Sequence, residues 1–156
     1  GDAICLCFGE IDCRCHVHKR VSKEKTYQEV IDGIIDRYFN HLRSQARLLP
    51  PAVRIFVYNV LPPVRRANAE LNTEFPYLGE DEERLNYVQY FNMRLKQECR
   101  HTDFRFFEVY DQYCDEEGFL SEEYSDGSVH VADGVWIDEV IRGLNLKPVW
   151  VSELGF

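Results

Sequence analysis

Hydrophobic positions follow two different patterns along this chain. Ala3 to Phe8 is a short, wholly apolar run, which is typical of a strand that is buried on both faces. Val53 to Val60 and Phe104 to Tyr110 are further apolar runs that are rich in β-branched and aromatic residues. The sequence therefore predicts three strands, spaced widely along the chain.

Between these runs, apolar residues recur at steps of three and four with charges between them, which predicts amphipathic helices. The longest helix should run from Thr26 to Leu49. Thr26 and Glu29 have the spacing of a capping box at its start, and Pro50-Pro51 should end it. Glu83 to His101 and Val135 to Leu144 repeat the helical spacing.

Strands and helices thus alternate, and the acidic segment from Asp111 to Asp126 is predicted to be a solvated, mobile loop. This order predicts an α/β fold, a three-layer α/β/α sandwich with a mostly parallel sheet. With 156 residues, of which 45% are hydrophobic, the chain fits a single domain over residues 1–156.

Composition and charge reduce the range of binding partners to consider. The formal net charge of −9 argues against a nucleic-acid backbone, and the apolar stretches are too short to span a membrane. No signal peptide is visible, so a cytoplasmic location is expected. The six cysteines are expected to be reduced, with Cys5 and Cys7 acting as small hydrophobic residues on one face of the first strand.

Chemistry is concentrated where the first predicted strand ends. The segment from Phe8 to His18 contains two acids, an arginine, two thiols and two imidazoles. The carboxyl ends of parallel strands share one edge of a sheet, so this segment should lie near the loop Ser125 to Gly134. That loop contains Asp126 and His130, and a histidine oriented by a carboxylate is a general base, although many loop histidines are only solvated.

Three blocks carry a resemblance to a known family. Phe8-Gly9-Glu10-Ile11-Asp12-Cys13-Arg14, Asn59-Val60-Leu61-Pro62-Pro63 and Ser125-Asp126-Gly127-Ser128-Val129-His130 resemble blocks of the SGNH, or GDSL-type, hydrolases, in order and spacing. The resemblance spans nearly the whole chain. It implies a flavodoxin-like sheet and hydrolysis of acyl or acetyl esters, often on carbohydrates, by a serine, histidine and aspartate triad without a cofactor.

The resemblance assigns catalytic roles to two residues of the last block. His130 would be the general base, and Asp126 would orient it. The family usually places its aspartate three residues before the histidine, where this chain has Gly127. A bulge at Gly127 would restore the geometry, because glycine adopts conformations that other residues avoid.

The first block would supply the oxyanion and substrate-binding residues, namely Gly9, Glu10, Asp12 and Arg14. The family's oxyanion asparagine falls at about Ile11, whose side chain has no donor. Arg14 is the substitute candidate, because its guanidinium donors can stabilise a developing oxyanion.

The serine nucleophile has no counterpart in the chain. Gly1-Asp2 is followed by Ala3, and none of the internal serines follows an apolar strand and precedes a helix; these are Ser22, Ser44, Ser121, Ser125, Ser128 and Ser152. The chain is therefore expected to be the C-terminal portion of such a domain, lacking its first strands and inactive alone, either because the sequence is truncated or because the protein has lost catalysis. Ala3 to Phe8 would then be an exposed edge strand, through which the chain could form a homo-oligomer.

Two other functions remain open. Cys13, Cys15, His16 and His18 are zinc ligand types, although their one-residue gaps match structural zinc sites poorly. Alternatively, the cleft is a non-catalytic carbohydrate-binding or scaffold site, with aromatic side chains near the loops to stack on sugar rings: Tyr77, Tyr110, Tyr113, Tyr124 and Trp136. Glu10 and Asp12 are too close in sequence to favour glycoside hydrolysis.

Overall fold

Three parallel strands form the centre of the computed structural model, which describes residues 2–66 and 76–144. They are β1 (Ala3–Cys7), β2 (Arg54–Tyr58) and β3 (Arg105–Phe107), in the spatial order β1-β2-β3. In this register Ala3 lies opposite Arg54, and Phe56 lies opposite Arg105. The three predicted strands are therefore confirmed, and β3 is shorter than the sequence pattern suggests.

Helices connect the strands. Helical backbone begins at residue 10, passes through a π-helical turn (Asp12–His16) and continues as α1 (Val17–Arg20). The other helices are α2 (Tyr27–Ala46), α3 (Asp81–Cys99), α4 (Tyr110–Tyr113), a 3-10 turn (Glu122–Tyr124) and α5 (Val135–Gly143). Within the described ranges no helix is both long and apolar enough to cross a membrane.

The predicted start of α2 is confirmed in its hydrogen bonds. The backbone N–H of Glu29 donates to Oγ1 of Thr26 over 3.3 Å, and the N–H of Thr26 donates to Oε2 of Glu29 over 2.8 Å. These bonds satisfy donors that the first turn of a helix otherwise leaves unpaired. The helix ends at Ala46, three residues earlier than the periodicity predicts.

Alternation along the strands divides the core into two parts. Val57 packs with residues of α2 and α3 on one face of the sheet. Tyr58 and Phe107 point to the opposite face, where α4 and residues of α5 lie. Helices therefore cover both faces of a parallel sheet, which is the three-layer α/β arrangement that the element order predicts.

The prediction that β1 is buried on both faces is wrong. Ile4 is 36% exposed, and Cys5 and Cys7 are exposed too, so these two thiols are not core residues. The reason is position: among the described residues, only β2 pairs with β1, so β1 is an edge strand. All six cysteines are free thiols, as expected.

Two segments are more ordered than the sequence pattern predicts. Residues 10–20 are helical, although the pattern predicts no helix there. The acidic segment is not simply a solvated loop either, because Tyr113 and Leu120 are buried against the sheet. Apolar residues at a few positions anchor this segment, and its acids remain on the outside.

Candidate functional site

A pocket of about 760 Å³ lies at the carboxyl edge of the sheet. Its wall comes from four separate parts of the chain: the segment after β1, the segment after β2, residues 77–88 at and within the start of α3, and the loop that leads into α5 together with the first turn of that helix. The residues from the first and last of these that carry polar side chains are Glu10, Asp12, Arg14, His16 and His130. The two polar clusters recognised in the sequence therefore border the same pocket.

Gly9 allows the chain to turn from β1 into the helical segment. Its φ of +112° lies in the region that favours glycine. A Cβ at this position would lie 2.7 Å from Cε1 of Phe91 and 2.8 Å from Cγ2 of Val60. The lack of a side chain thus lets the backbone pass directly over the core, and the carbonyl of Gly9 accepts the N–H of Cys13 over 2.9 Å.

Arg14 is held by Glu10 one helical turn earlier. Nη2 of Arg14 donates to Oε2 of Glu10 over 3.1 Å, and Nε lies 2.8 Å from Oε1 as an ion pair without good hydrogen-bond alignment. The Arg14 side chain is only 8% exposed. Burial raises the pKa of the Glu10 carboxyl, and the Arg14 guanidinium partly opposes that rise. This pair keeps a charged arginine at the pocket wall.

Tyr77 fixes the other side of Arg14. The Arg14 guanidinium lies 5.4 Å from the centroid of the Tyr77 ring, and that of Arg84 lies 5.0 Å from the same ring. Arg84 is fully buried and donates to the carbonyls of Leu78 and Gly79 and to the carboxylate of Asp81. Burial raises the pKa of Tyr77 to about 12, so the ring stays neutral between the two cations. Tyr77 therefore has a structural reason to be aromatic.

A pair formed by an acid and an imidazole lies on the same helical segment as Arg14. Nδ1 of His16 is 3.0 Å from Oδ1 of Asp12, and both residues border the pocket. His18 points elsewhere, since its Nδ1 is 3.3 Å from the hydroxyl of Tyr87. π-helical turns are frequent at functional sites, and this turn runs from Asp12 to His16.

The zinc alternative receives no support from these positions. Cys13 and Cys15 are buried in the protein interior, and burial raises the pKa of the Cys13 thiol well above its usual value, which disfavours the thiolate that zinc requires. His16 and His18 have the partners described above. Across residues 2–66 and 76–144, no group of three or more cysteine, histidine or acidic side chains is placed to hold a metal ion.

Asp126 and His130 lie together in a surface turn. Nδ1 of His130 is 3.4 Å from Oδ2 of Asp126, while Oδ1 of Asp126 accepts the N–H groups of Ser128 and His130. Gly127 has a φ of +84°, which accommodates the extra residue between the acid and the histidine. The Ser128 N–H and then His130 lower the pKa of Asp126, so its carboxylate stays ionised. A carboxylate beside Nδ1 is the arrangement that orients a general base.

Two buried asparagines hold the segment after β2. The side chain of Asn92 accepts the N–H of Val60 over 2.7 Å and donates to its carbonyl over 2.8 Å. Asn59 accepts the N–H of Val109 over 2.8 Å and so ties β2 to the segment after β3. The sequence placed Asn59 in a block of interest, but it gave no sign that Asn92 supports the pocket from α3.

The aromatic residues suggested for sugar stacking have mainly structural contacts. Tyr113 is fully buried, and its hydroxyl donates to the carbonyl of Asp133. Tyr124 packs edge-on against the Tyr113 ring, and the hydroxyl of Tyr110 donates to the carbonyl of Gly118. Trp136 belongs to the first turn of α5 and packs against the core under that helix. Of the five, only Tyr77 borders the pocket within the described residues.

No serine is present among the described residues that border the pocket. Ser152 lies outside the described residues, and the other five serines are elsewhere on the surface or in turns. Ile11, at the position of the expected oxyanion asparagine, borders the pocket with a side chain that offers no donor. The described part of the pocket therefore has a histidine and acid pair, a bound arginine and no hydroxyl nucleophile.

Comparison with known proteins defines the fold and little more. No protein-family model matches the chain, and no curated protein matches it. The chain is similar in fold to a solved structure, that of a candidate platelet activating factor from Streptococcus pneumonia, with a TM-score of 0.64 and 19% sequence identity. The match covers 92% of this chain and 58% of that protein, so the chain spans somewhat more than half of its length.

Proposed function

We propose that this chain carries the histidine and aspartate of an SGNH-type ester hydrolase, together with the side of the active site that contacts the oxyanion. The observation that carries the proposal is the Nδ1 to Oδ2 distance of 3.4 Å between His130 and Asp126, at the rim of a pocket that also contains Gly9 and Arg14. The fold similarity to a candidate platelet activating factor adds support at the level of architecture.

In the proposed reaction, Nε2 of His130 takes the proton from a serine hydroxyl as that oxygen attacks the ester carbonyl. The carboxylate of Asp126 holds the imidazole by Nδ1 and stabilises the imidazolium that forms. His130 then returns the proton to the leaving alcohol. Water repeats the cycle on the acyl-enzyme, so that one ester and one water give an acid and an alcohol.

Arg14 is the proposed stabiliser of the developing negative charge. Nη2 of Arg14 donates to Glu10, Nε forms only an ion pair with it, and Nη1 has no hydrogen-bond partner among the described residues. Ile11 leaves the usual donor position empty, so the remaining edge of Arg14 is the available cationic donor in the first block. A preorganised donor of this kind contributes about 3 kcal/mol to transition-state stabilisation.

The proposal requires a nucleophile from a polypeptide segment other than these 156 residues, either upstream in the same gene product or in another subunit. The 156-residue chain is therefore expected to leave p-nitrophenyl acetate hydrolysis at the background rate. The product translated from the start of its own gene is expected to hydrolyse this ester. In that product His130→Ala should lower kcat by about 10³-fold or more.

The matched control is His101→Ala, because His101 is an exposed histidine outside the pocket. That variant should retain the full rate. If the 156-residue chain hydrolyses the ester and His130→Ala abolishes this turnover, the conclusion that the chain lacks a nucleophile is wrong. A gene product that binds an ester without hydrolysing it would overturn the hydrolase proposal and leave the carbohydrate-binding function as the better explanation.

A further inference from the structure

The pocket has two chemically different walls. One wall is the helical segment after β1, with Glu10, Asp12, Arg14 and His16. The other wall, as the chemistry of its lining defines it, consists of apolar side chains from the segment after β2 and from the loop and helix near His130. Its members are Leu61, Pro62, Pro63, Val64, Val131 and Ile137.

We infer that the apolar wall binds the acyl group of the ester, and that this group is a hydrocarbon chain longer than acetyl. The inference rests on the proposed function and specifies its substrate class. The segment that brings the nucleophile would occupy part of the volume of about 760 Å³, and the six apolar side chains of the wall still offer more surface than an acetyl group can cover. The substrate class is thus a fatty acyl ester rather than an acetyl ester.

Hydrogen bonds and prolines hold the part of the apolar wall that follows β2. Asn92 pairs with both backbone groups of Val60, and Pro62 and Pro63 have restricted φ angles. The carbonyl of Pro63 also accepts the N–H of Leu120 over 3.0 Å. A preformed apolar surface loses little conformational entropy on binding, so the burial of methylene groups contributes directly to affinity.

The polar wall indicates what lies on the other side of the ester bond. Glu10 is paired with Arg14, and Nδ1 of His16 lies 3.0 Å from the carboxylate of Asp12. The two carboxylates disfavour a negatively charged alcohol group, whereas their oxygens can accept hydrogen bonds from hydroxyl groups. A hydroxyl-bearing alcohol without negative charge therefore suits this wall.

The first test measures binding and does not depend on catalysis. The 15N-labelled chain is titrated with octanamide and, separately, with acetamide, both of which are neutral and are not esters. Octanamide is expected to shift the backbone amide signals of Leu61, Val64 and Val131, whereas acetamide should leave them unchanged. Equal responses to the two amides, or no response to octanamide, would overturn the acyl wall.

A matched pair of variants on α5 locates the site. Ile137→Trp fills the pocket and should weaken octanamide binding about tenfold or more, because it takes the space of several methylene groups. Val135→Trp adds the same side chain at an exposed position of the same helix outside the pocket wall and should bind as the parent does. If Ile137→Trp does not fold, Val129→Phe provides a second filling variant from the loop. Equal affinity in the filling and control variants would contradict the assignment.

The second test separates failure of this inference from failure of the proposed function. The full gene product is assayed with acetyl, butyryl, hexanoyl and octanoyl esters of p-nitrophenol. Each added methylene that contacts the wall should raise kcat/KM about threefold to fourfold. Turnover that depends on His130 but is fastest with acetyl would overturn the acyl wall alone. Octanamide binding without any turnover would support the wall and overturn the hydrolase.

Discussion

The two polar sides of the pocket are built in opposite ways. On the side after β1, Arg14 is nearly buried, paired with Glu10 and packed against Tyr77. On the other side, the His130 side chain is 74% exposed and sits in a turn that backbone hydrogen bonds to Asp126 maintain. The first side is part of the core, whereas the second is an exposed surface turn.

This difference shows which half of the site depends on the stability of the whole fold. Substitutions on the buried side should lower the free energy of unfolding of the whole chain and so disturb the rest of the site as well. Substitutions in the turn should leave the fold intact and act locally, because few apolar contacts are lost there. Glycines with positive φ occur on both sides, at Gly9 and Gly127, and they offer a matched comparison.

Gly9→Ala should give the largest effect. The new Cβ would meet the Phe91 ring and Val60 at distances below 3 Å, and φ is +112°. The combined clash and backbone strain should lower the free energy of unfolding by about 3 kcal/mol or more. Urea unfolding followed by circular dichroism measures it. Gly143→Ala is the control, since a Cβ there meets nothing within 4 Å, and a loss in Gly9→Ala no larger than in this control would show that the first side is not part of the core.

Arg14→Met should be the next largest, and its effect should depend on pH. Burial raises the pKa of Glu10 and Arg14 lowers it, so removing Arg14 raises that pKa further. An acid with a raised pKa in the folded state binds its proton more tightly there, so its ionisation opposes folding as pH increases. The variant should therefore lose at most about 2 kcal/mol at neutral pH, because the Glu10 side chain is 44% exposed and solvent screens its charge, and it should approach the parent at acidic pH.

Urea unfolding at a series of pH values measures this prediction. The control is Arg20→Met, because Arg20 is an exposed cation at the end of the same helical segment. Its difference from the parent should be small at every pH. A loss in Arg14→Met that does not change with pH would mean that Arg14 stabilises the fold through packing on Tyr77 rather than through the Glu10 charge.

Local signals explain how much of the fold could be predicted. Thr26 and Glu29 mark the start of α2, and the prolines after β2 mark the end of that strand. Both signals are readable because caps and prolines act through neighbouring backbone groups. The segment after β1 could not be predicted in this way. Cys13, Arg14 and Cys15 are all buried in consecutive positions, so the segment lacks the alternation of polar and apolar residues that identifies a helix.

The site shows the same limit. The proximity of the Asp126 turn to the first polar segment follows from parallel strand topology alone, and the shared pocket agrees with it. The contacts that hold Arg14 could not be predicted, because Tyr77 and Arg84 reach it from a distant part of the chain. The resemblance led to an edge position for Ala3 to Phe8, as found in the described residues, but the apolar pattern of that run alone could not show that Cys5 and Cys7 are exposed.

Gly127→Ala should have a smaller effect than Gly9→Ala, although both positions have positive φ. A Cβ at Gly127 meets nothing within 4 Å, so only the backbone conformation opposes the substitution. The cost should be about 1 kcal/mol, as for other residues forced into this region. Urea unfolding of both alanine variants gives the comparison. Equal losses at the two positions would show that strain, and not packing against Phe91, explains the need for glycine at Gly9.

Asp126→Asn should have the smallest effect on the fold and a clear effect on the turn. The Ser128 N–H and His130 lower the pKa of Asp126. A carboxyl with a lowered pKa stabilises the folded state at pH values above its usual pKa. That contribution is lost as the pH falls through the lowered pKa. The small advantage of the parent at neutral pH should therefore vanish in acid. Asparagine keeps one acceptor oxygen, so the global transition should barely move, while the amides of Ser128 and His130 should exchange with solvent faster. Unchanged exchange at these two amides would mean that the charge of Asp126 does not hold the turn, and His130 would then lack the fixed orientation that a general base requires.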